Sequence, residues 1–88
     1  MRLFGLTFGK TIEDRVKRSI ANEIGAGVAA INNSENLRDD LTMDELDMVD
    51  LWLVLEDEFD IKIDHDEFDG QNTVQDVINL VEKLVSEK

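Results

Sequence analysis

Between Asp40 and Phe59 the chain reads Asp-Leu-Thr-Met-Asp-Glu-Leu-Asp-Met-Val-Asp-Leu-Trp-Leu-Val-Leu-Glu-Asp-Glu-Phe. No other stretch so restricts the fold. At helical spacing, Met48, Leu51, Trp52, Leu55 and Phe59 share one uncharged arc, the pattern of a face that packs inward. The far side mixes Leu46, Val49 and Leu53 with Asp47, Asp50 and Asp57. Apolar side chains left outside among acids mark a surface suited to a protein partner. The chain therefore predicts a helix that packs on one side and is gripped on the other.

Further helices flank this one. Thr11 is a good N-cap, with Asp14 at the capping-box position. Ile12, Val16, Ile20 and Ile24 then form an apolar stripe, and Arg15, Lys17 and Arg18 are expected to face away as a basic patch. Gly25 and Gly27 are expected to end the helix through positive φ. The connection from Gly25 to Met43 is long and needs pins. Ile31, Leu37 and Leu41 supply them, Asn32-Asn33-Ser34 has turn chemistry, and Ser34 is read as opening a short helical turn. The central helix has two possible cap frames, Thr42 with Glu45 or Asp44 with Asp47.

Beyond it, Ile61 and Ile63 anchor the next turn. Asp64–Asp69 predicts one short helical turn with Phe68 inward, ended by Gly70. Asn72 or Thr73 caps the last helix, in which Val74, Val77, Ile78, Val81, Leu84 and Val85 follow the helical repeat. The fold class is all-α, a small bundle of three main helices plus one short helix. Residues 1–10, where Leu3, Phe4, Leu6 and Phe8 are interrupted by Gly5 and Gly9, read as a flexible arm. Residues 11–88 form the helical domain.

Charge narrows the function. A net charge of −12 over 88 residues repels nucleic acid and favours basic protein surfaces as partners. It also makes stability sensitive to salt and pH. With no cysteine there is no disulfide or thiol nucleophile. No apolar run is long enough to span a bilayer, and a cytoplasmic monomer is expected. The single histidine, His65, has no serine near it in sequence and reads as a solvated bystander, so no enzyme is expected. Asp60, Asp64, Asp66, Glu67 and Asp69 fail the EF-hand pattern, because Lys62 falls at the third position. No metal site is expected.

The run Asp44-Glu45-Leu46-Asp47, then Val49-Asp50-Leu51 and Leu55-Glu56-Asp57-Glu58-Phe59, resembles the second helix of acyl carrier proteins. The likeness runs from Thr11 to about Lys83 without insertion or deletion. It includes Thr-Ile-Glu-Asp-Arg-Val-Lys, the Gly25 stop, Phe59-Asp60-Ile61-Lys62-Ile63-Asp64 and Thr-Val-Gln-Asp. It departs at Asp64, where the family commonly has proline, at Thr42-Met43, where small residues are usual, at Trp52, and in the added arm.

In that family the helix opens with Asp-Ser-Leu, and the serine carries 4′-phosphopantetheine through a phosphodiester. Here Glu45 occupies that position, and Ser19, Ser34, Thr42 and Ser86 lie in no Asp-Ser-Leu context. The resemblance implies a carrier-like module that presents Asp44, Leu46, Asp47, Val49, Asp50, Leu53 and Asp57 to acyl-transfer or synthase enzymes. It carries no cofactor as written. Two alternatives stay open: an acyl carrier of fatty acid or polyketide synthesis whose serine has been replaced by Glu45, or a regulatory or scaffold domain sharing only the fold.

Overall fold

A computed structural model describes residues 11–88. Four α-helices occur in order: α1 (Ile12–Ile24), α2 (Glu45–Phe59), α3 (His65–Asp69) and α4 (Val74–Ser86), with a 3-10 turn at Val28–Ala30. Among the described residues no strand forms, and the one β-like pairing is an isolated bridge between Asn36 and Thr73. The expected arm, residues 1–10, lies outside the described residues.

Each main helix begins where its capping chemistry directs. The Thr11 hydroxyl accepts from the Asp14 N–H at 3.1 Å, Asp44 and Asp47 form a full capping box at α2, and Thr73 and Asp76 form another at α4. The Asp44 frame therefore starts the central helix. Thr42 lies outside it with a φ of 55°, and its hydroxyl donates to the Leu41 carbonyl at 2.7 Å. Gly25 ends α1 in the left-handed region, with φ 74°. Gly27 does not share that role: its φ is −81°, extended backbone that any residue adopts.

The core joins all four helices. Val16 and Ile20 from α1, Leu51 and Leu55 from α2, Phe68 from α3, and Val74, Val77, Ile78 and Val81 from α4 are essentially buried. Ile31 and Leu37 pin the long loop as expected, while Leu41 is only half-buried. Met43 and Leu80 are buried as well; Leu80 is not among the apolar positions read for the last helix. Ser34 opens no helical turn: Asn33 and Ser34 make a tight turn, and Asn36 opens the next one, its carbonyl accepting from the Asp40 N–H at 3.0 Å.

That loop is stitched to the start of α4. The N–H groups of Val74 and Gln75 donate to the carbonyls of Glu35 and Asn33 at 3.0 and 2.9 Å, and Leu37 N–H donates to the Asn72 carbonyl at 2.8 Å. The first amides of a helix have no partner within it, so the loop supplies the acceptors. The same bonds give a long irregular segment a fixed path.

The C-terminus of α2 is closed by cations from elsewhere. Arg15 does not face away as expected. Its Nε and Nη2 donate to Glu58 Oε2 and the Glu58 carbonyl, both at 2.9 Å, and its guanidinium lies 4.3 Å from the Phe59 ring centre. Lys88 Nζ donates to the Phe59 carbonyl at 3.1 Å. Positive charge at the carbonyl end of a helix complements its dipole. Lys17, also expected to face away, is half-buried and lies 3.8 Å from Glu13.

Candidate functional site

The start of α2 presents the densest group of functional candidates. Asp44 Oδ1 accepts from the Asp47 N–H at 2.9 Å, and Asp47 Oδ2 accepts from the Asp44 N–H at 3.2 Å. This exchange fixes Glu45 as the first residue of the helix. Among the described residues, the N–H groups of Glu45 and Leu46 donate to no protein acceptor, and neither acid of the box joins an ion pair. The helix thus opens on exposed amides flanked by carboxylates.

Beside this turn lies a cleft of about 440 Å³. Met43, Met48, Val49 and Phe68 give it apolar walls, and Asp44, Glu45, Asp69, Arg38 and His65 ring it with charge and polarity. Arg38 Nη2 donates to Asp69 Oδ1 at 2.9 Å, tying the loop before α2 to the end of α3. Val49, expected among the outward residues, is half-buried in this cleft. His65 is exposed to solvent, as expected. It lines the cleft, and its ring centre is 4.9 Å from that of Trp52.

Trp52 belongs to the same seam. It is half-buried rather than part of the fully buried face. Its Nε1 donates to the Ile63 carbonyl at 2.8 Å, and Glu56 Oε2 accepts from the Ile63 N–H at 2.8 Å. Two side chains of α2 thereby satisfy both backbone groups of Ile63 and hold the strap into α3. A buried indole needs an acceptor for its N–H, and that need was the available signal that Trp52 sits at an edge of the core.

The remaining candidates occupy the outward side of α2. Leu46, Leu53 and Val54 are 74%, 50% and 41% exposed, and Asp50 and Asp57 are exposed between them. Val54 was not singled out in the sequence, although helical spacing puts it beside Asp50 and Asp57. The expected set thus divides: Leu46, Asp50, Leu53 and Asp57 form the outward stripe, Asp44 and Asp47 build the cap, and Val49 enters the cleft.

Along the seam with α1, Glu23 meets Asp50 and Asp47. Burial first, then the charges of these two acids, raise the Glu23 carboxyl above the usual carboxylate range. Loss of solvation and, after it, repulsion between like charges both favour the protonated carboxyl. At α4, by contrast, the backbone N–H groups of Thr73 and Asn72 hold Asp76 below that range.

Described hydroxyls are mostly engaged locally. Thr11 and Thr73 cap helices, Ser19 Oγ donates to the Arg15 carbonyl at 3.0 Å, and Ser86 Oγ donates to the Lys83 carbonyl at 2.8 Å. Ser34 is exposed in its turn. The first turn of α2, Glu45 to Met48, contains no hydroxyl. Among the described residues, no group of three or more His, Asp or Glu side chains forms a metal cage, and no helix is long and apolar enough to cross a membrane.

Residues 14–81 match the family described as "Phosphopantetheine attachment site". The chain belongs to that family. The matched span agrees with the likeness read from Thr11 to about Lys83. As carrier-family relatives in structure, an acyl carrier protein from Thermotoga maritima superposes with a TM-score of 0.74 at 23% identity, covering 96% of this chain and 98% of that one. An apo doublet acyl carrier protein from prodigiosin biosynthesis superposes with a TM-score of 0.74 at 21% identity, covering 90% of this chain and 40% of that one. This member of the family thus has the acyl carrier fold.

Proposed function

We infer that this chain is a carrier-family interaction module that presents the outward face of α2 to basic surfaces of acyl-transfer or synthase enzymes and carries no phosphopantetheine arm as written. The observation that carries this reading is the first turn of α2, where Glu45 opens the helix and no residue has a hydroxyl. A phosphodiester to a side chain needs an alcohol oxygen. A carboxylate cannot supply it, so the residues here do not fit the arm. The exposed Leu46, Leu53 and Val54 among Asp50 and Asp57 support the partner surface, because apolar contact with a charged surround gives both affinity and steering.

The second reading, a carrier whose serine has been replaced, is favoured by the cleft. Its apolar walls open directly beside Glu45, and the capping box leaves the adjoining amides free to receive a phosphate. Glu45→Ser distinguishes the two. With a broad-specificity phosphopantetheinyl transferase, the unaltered chain should keep its mass. A Glu45→Ser chain that gains one phosphopantetheine mass has retained everything but the hydroxyl; one that gains nothing has diverged in the loop or cleft too. Modification of the unaltered chain would overturn the claim that it carries no arm.

The partner face has its own test. Asp50→Lys with Asp57→Lys should leave helicity unchanged, weaken binding to a carrier-dependent enzyme and flatten the salt dependence of that binding. Equal affinity for the double variant and the parent would reduce the stripe to a solvated surface.

A further inference from the structure

We propose that the cleft beside Glu45 receives an arginine side chain from a protein partner seated on α2, with Glu45 holding its guanidinium. The proposal rests on the interaction-module reading given above and names the side chain that such a partner brings.

The residues of the cleft select the occupant. Met43, Met48, Val49 and Phe68 line it, so it favours an apolar stem. Its rim sets three carboxylates, Asp44, Glu45 and Asp69, against one guanidinium, Arg38. Arg38 is already paired with Asp69 at 2.9 Å, and Asp44 accepts from the Asp47 N–H within the cap. Glu45 is exposed and, among the described residues, joins no ion pair. The rim therefore lacks a cation. A chain of net charge −12 also repels a carboxylate on an apolar tail. A cation on an apolar stem meets both demands.

Arginine and lysine are side chains of that kind, and arginine fits better. Either stem can lie along apolar walls while its head stays at the wet rim. A guanidinium, however, is less strongly hydrated than an ammonium and pairs with a carboxylate through two parallel hydrogen bonds. Arg38 already shows a guanidinium held at this rim, by Asp69. Met43 and Met48 give the stem adaptable walls, since methionine is unbranched and polarizable.

Position argues for a protein as the source. Glu45 borders the cleft, and the next residue, Leu46, is exposed on the outward stripe. A partner whose apolar surface covers Leu46, Leu53 and Val54 thus has the cleft at its edge. The stripe supplies area, and an arginine seated in the cleft fixes the register along α2, as a buried anchor does at other interfaces.

The cleft is tested in the full chain with n-butylguanidinium, which carries the head and stem of arginine without its backbone. It should shift the methyl signals of Met43, Met48 and Val49 and the ring signals of Phe68 saturably. Glu45→Gln, at an exposed position, should leave helicity unchanged and weaken this binding about tenfold or more, as expected for the loss of a hydrogen-bonded charge. Butyrate should give no saturable shift. No saturable shift with butylguanidinium, equal affinity for the Glu45→Gln variant, or an equal response to butyrate overturns the proposal.

A carrier-dependent enzyme then separates the cleft from the stripe. If Asp50→Lys with Asp57→Lys weakens its binding while Glu45→Gln does not, the arginine proposal falls and the partner face stands. That result with butylguanidinium still bound would assign the cleft to a small cation instead of a protein side chain. If Glu45→Gln weakens the enzyme and butylguanidinium competes with it, while the Asp50→Lys with Asp57→Lys variant binds as the parent does, the cleft docking stands and the stripe reading falls.

Discussion

Helices α2 and α4 start with the same local device and end up in different employment. Both have a reciprocal capping box, Asp44 with Asp47 and Thr73 with Asp76. At α4 the next two amides are closed by carbonyls of Asn33 and Glu35, and the Thr73 turn is half-buried. At α2 the corresponding amides of Glu45 and Leu46 meet no protein acceptor among the described residues; Glu45 borders a cleft and Leu46 is exposed. Capping chemistry decides where a helix starts. Whether that start is a joint or a site depends on what a distant segment lays over it.

The widest gap should appear in stability. Leu37 is fully buried in the loop that covers α4, and Leu37→Ala should cost about 2–5 kcal/mol. Leu46→Ala, at the uncovered start of α2, should change stability by no more than about 0.5 kcal/mol. Chemical denaturation of the two variants measures the contrast. Similar losses would mean that Leu46 packs on something, and the contrast between a covered and an open start would fail.

A closer comparison comes from the caps themselves. Asp44→Ala and Thr73→Ala should each cost about 1 kcal/mol, since the local bonds are alike. Hydrogen exchange should nonetheless separate them in the unaltered chain: Val74 and Gln75 amides slow, Glu45 and Leu46 amides fast, as expected for bonded and unbonded groups. Acid should act on the α4 box. Asp76 is held below the usual carboxylate range, so its stabilisation is complete above the unfolded pKa and is lost as pH falls through the lower folded pKa. Asp76→Asn should therefore flatten the acid limb of a stability–pH curve below about pH 4. An unchanged limb would remove Asp76 from that account.

The smallest effect concerns the α1–α2 seam. Glu23 is raised by burial, Asp50 and Asp47, so its charge opposes folding above the raised folded pKa and stops doing so below the unfolded value. Glu23→Gln should add up to about 0.5 kcal/mol at neutral pH and low salt, a range set by solvent screening of a surface group that is only partly buried. The gain should vanish below about pH 4, where the carboxyl is protonated in both states. A gain that persists in acid would point to packing rather than charge.

Features with a local cause were legible in the sequence. The buried arc of α2, the stripe of α1, the inward Phe68 and the Gly25 stop all follow from helical periodicity or from one residue's backbone freedom. Where periodicity was silent, the reading failed or stayed open. Arg15 turned toward Glu58 because the C-terminus of α2 needed a cation, and no pattern within α1 announces that. Trp52 had apolar spacing, but its N–H drew it to the edge, against Ile63. Met43 sits in an irregular segment where burial has no period to reveal it. For the candidate site, Glu45 and the outward acids were visible as residues, while the cleft needed the loop, α3 and α2 together. His65 entered it from an element only five residues long.

The stitch between the loop and α4 also bears on how the chain reaches its shape. Asn33 and Gln75, joined at 2.8 Å, are 42 positions apart, so the loop path stays open until the last helix is present. Helices α1 and α2 can nucleate from local contacts, but closing this span costs chain entropy before its bonds form. During synthesis the acidic helix α2 therefore emerges ahead of the segment that completes the fold around it. The order of assembly is written into the seam: the acidic helix comes first, and the lock that steadies the loop before it comes last.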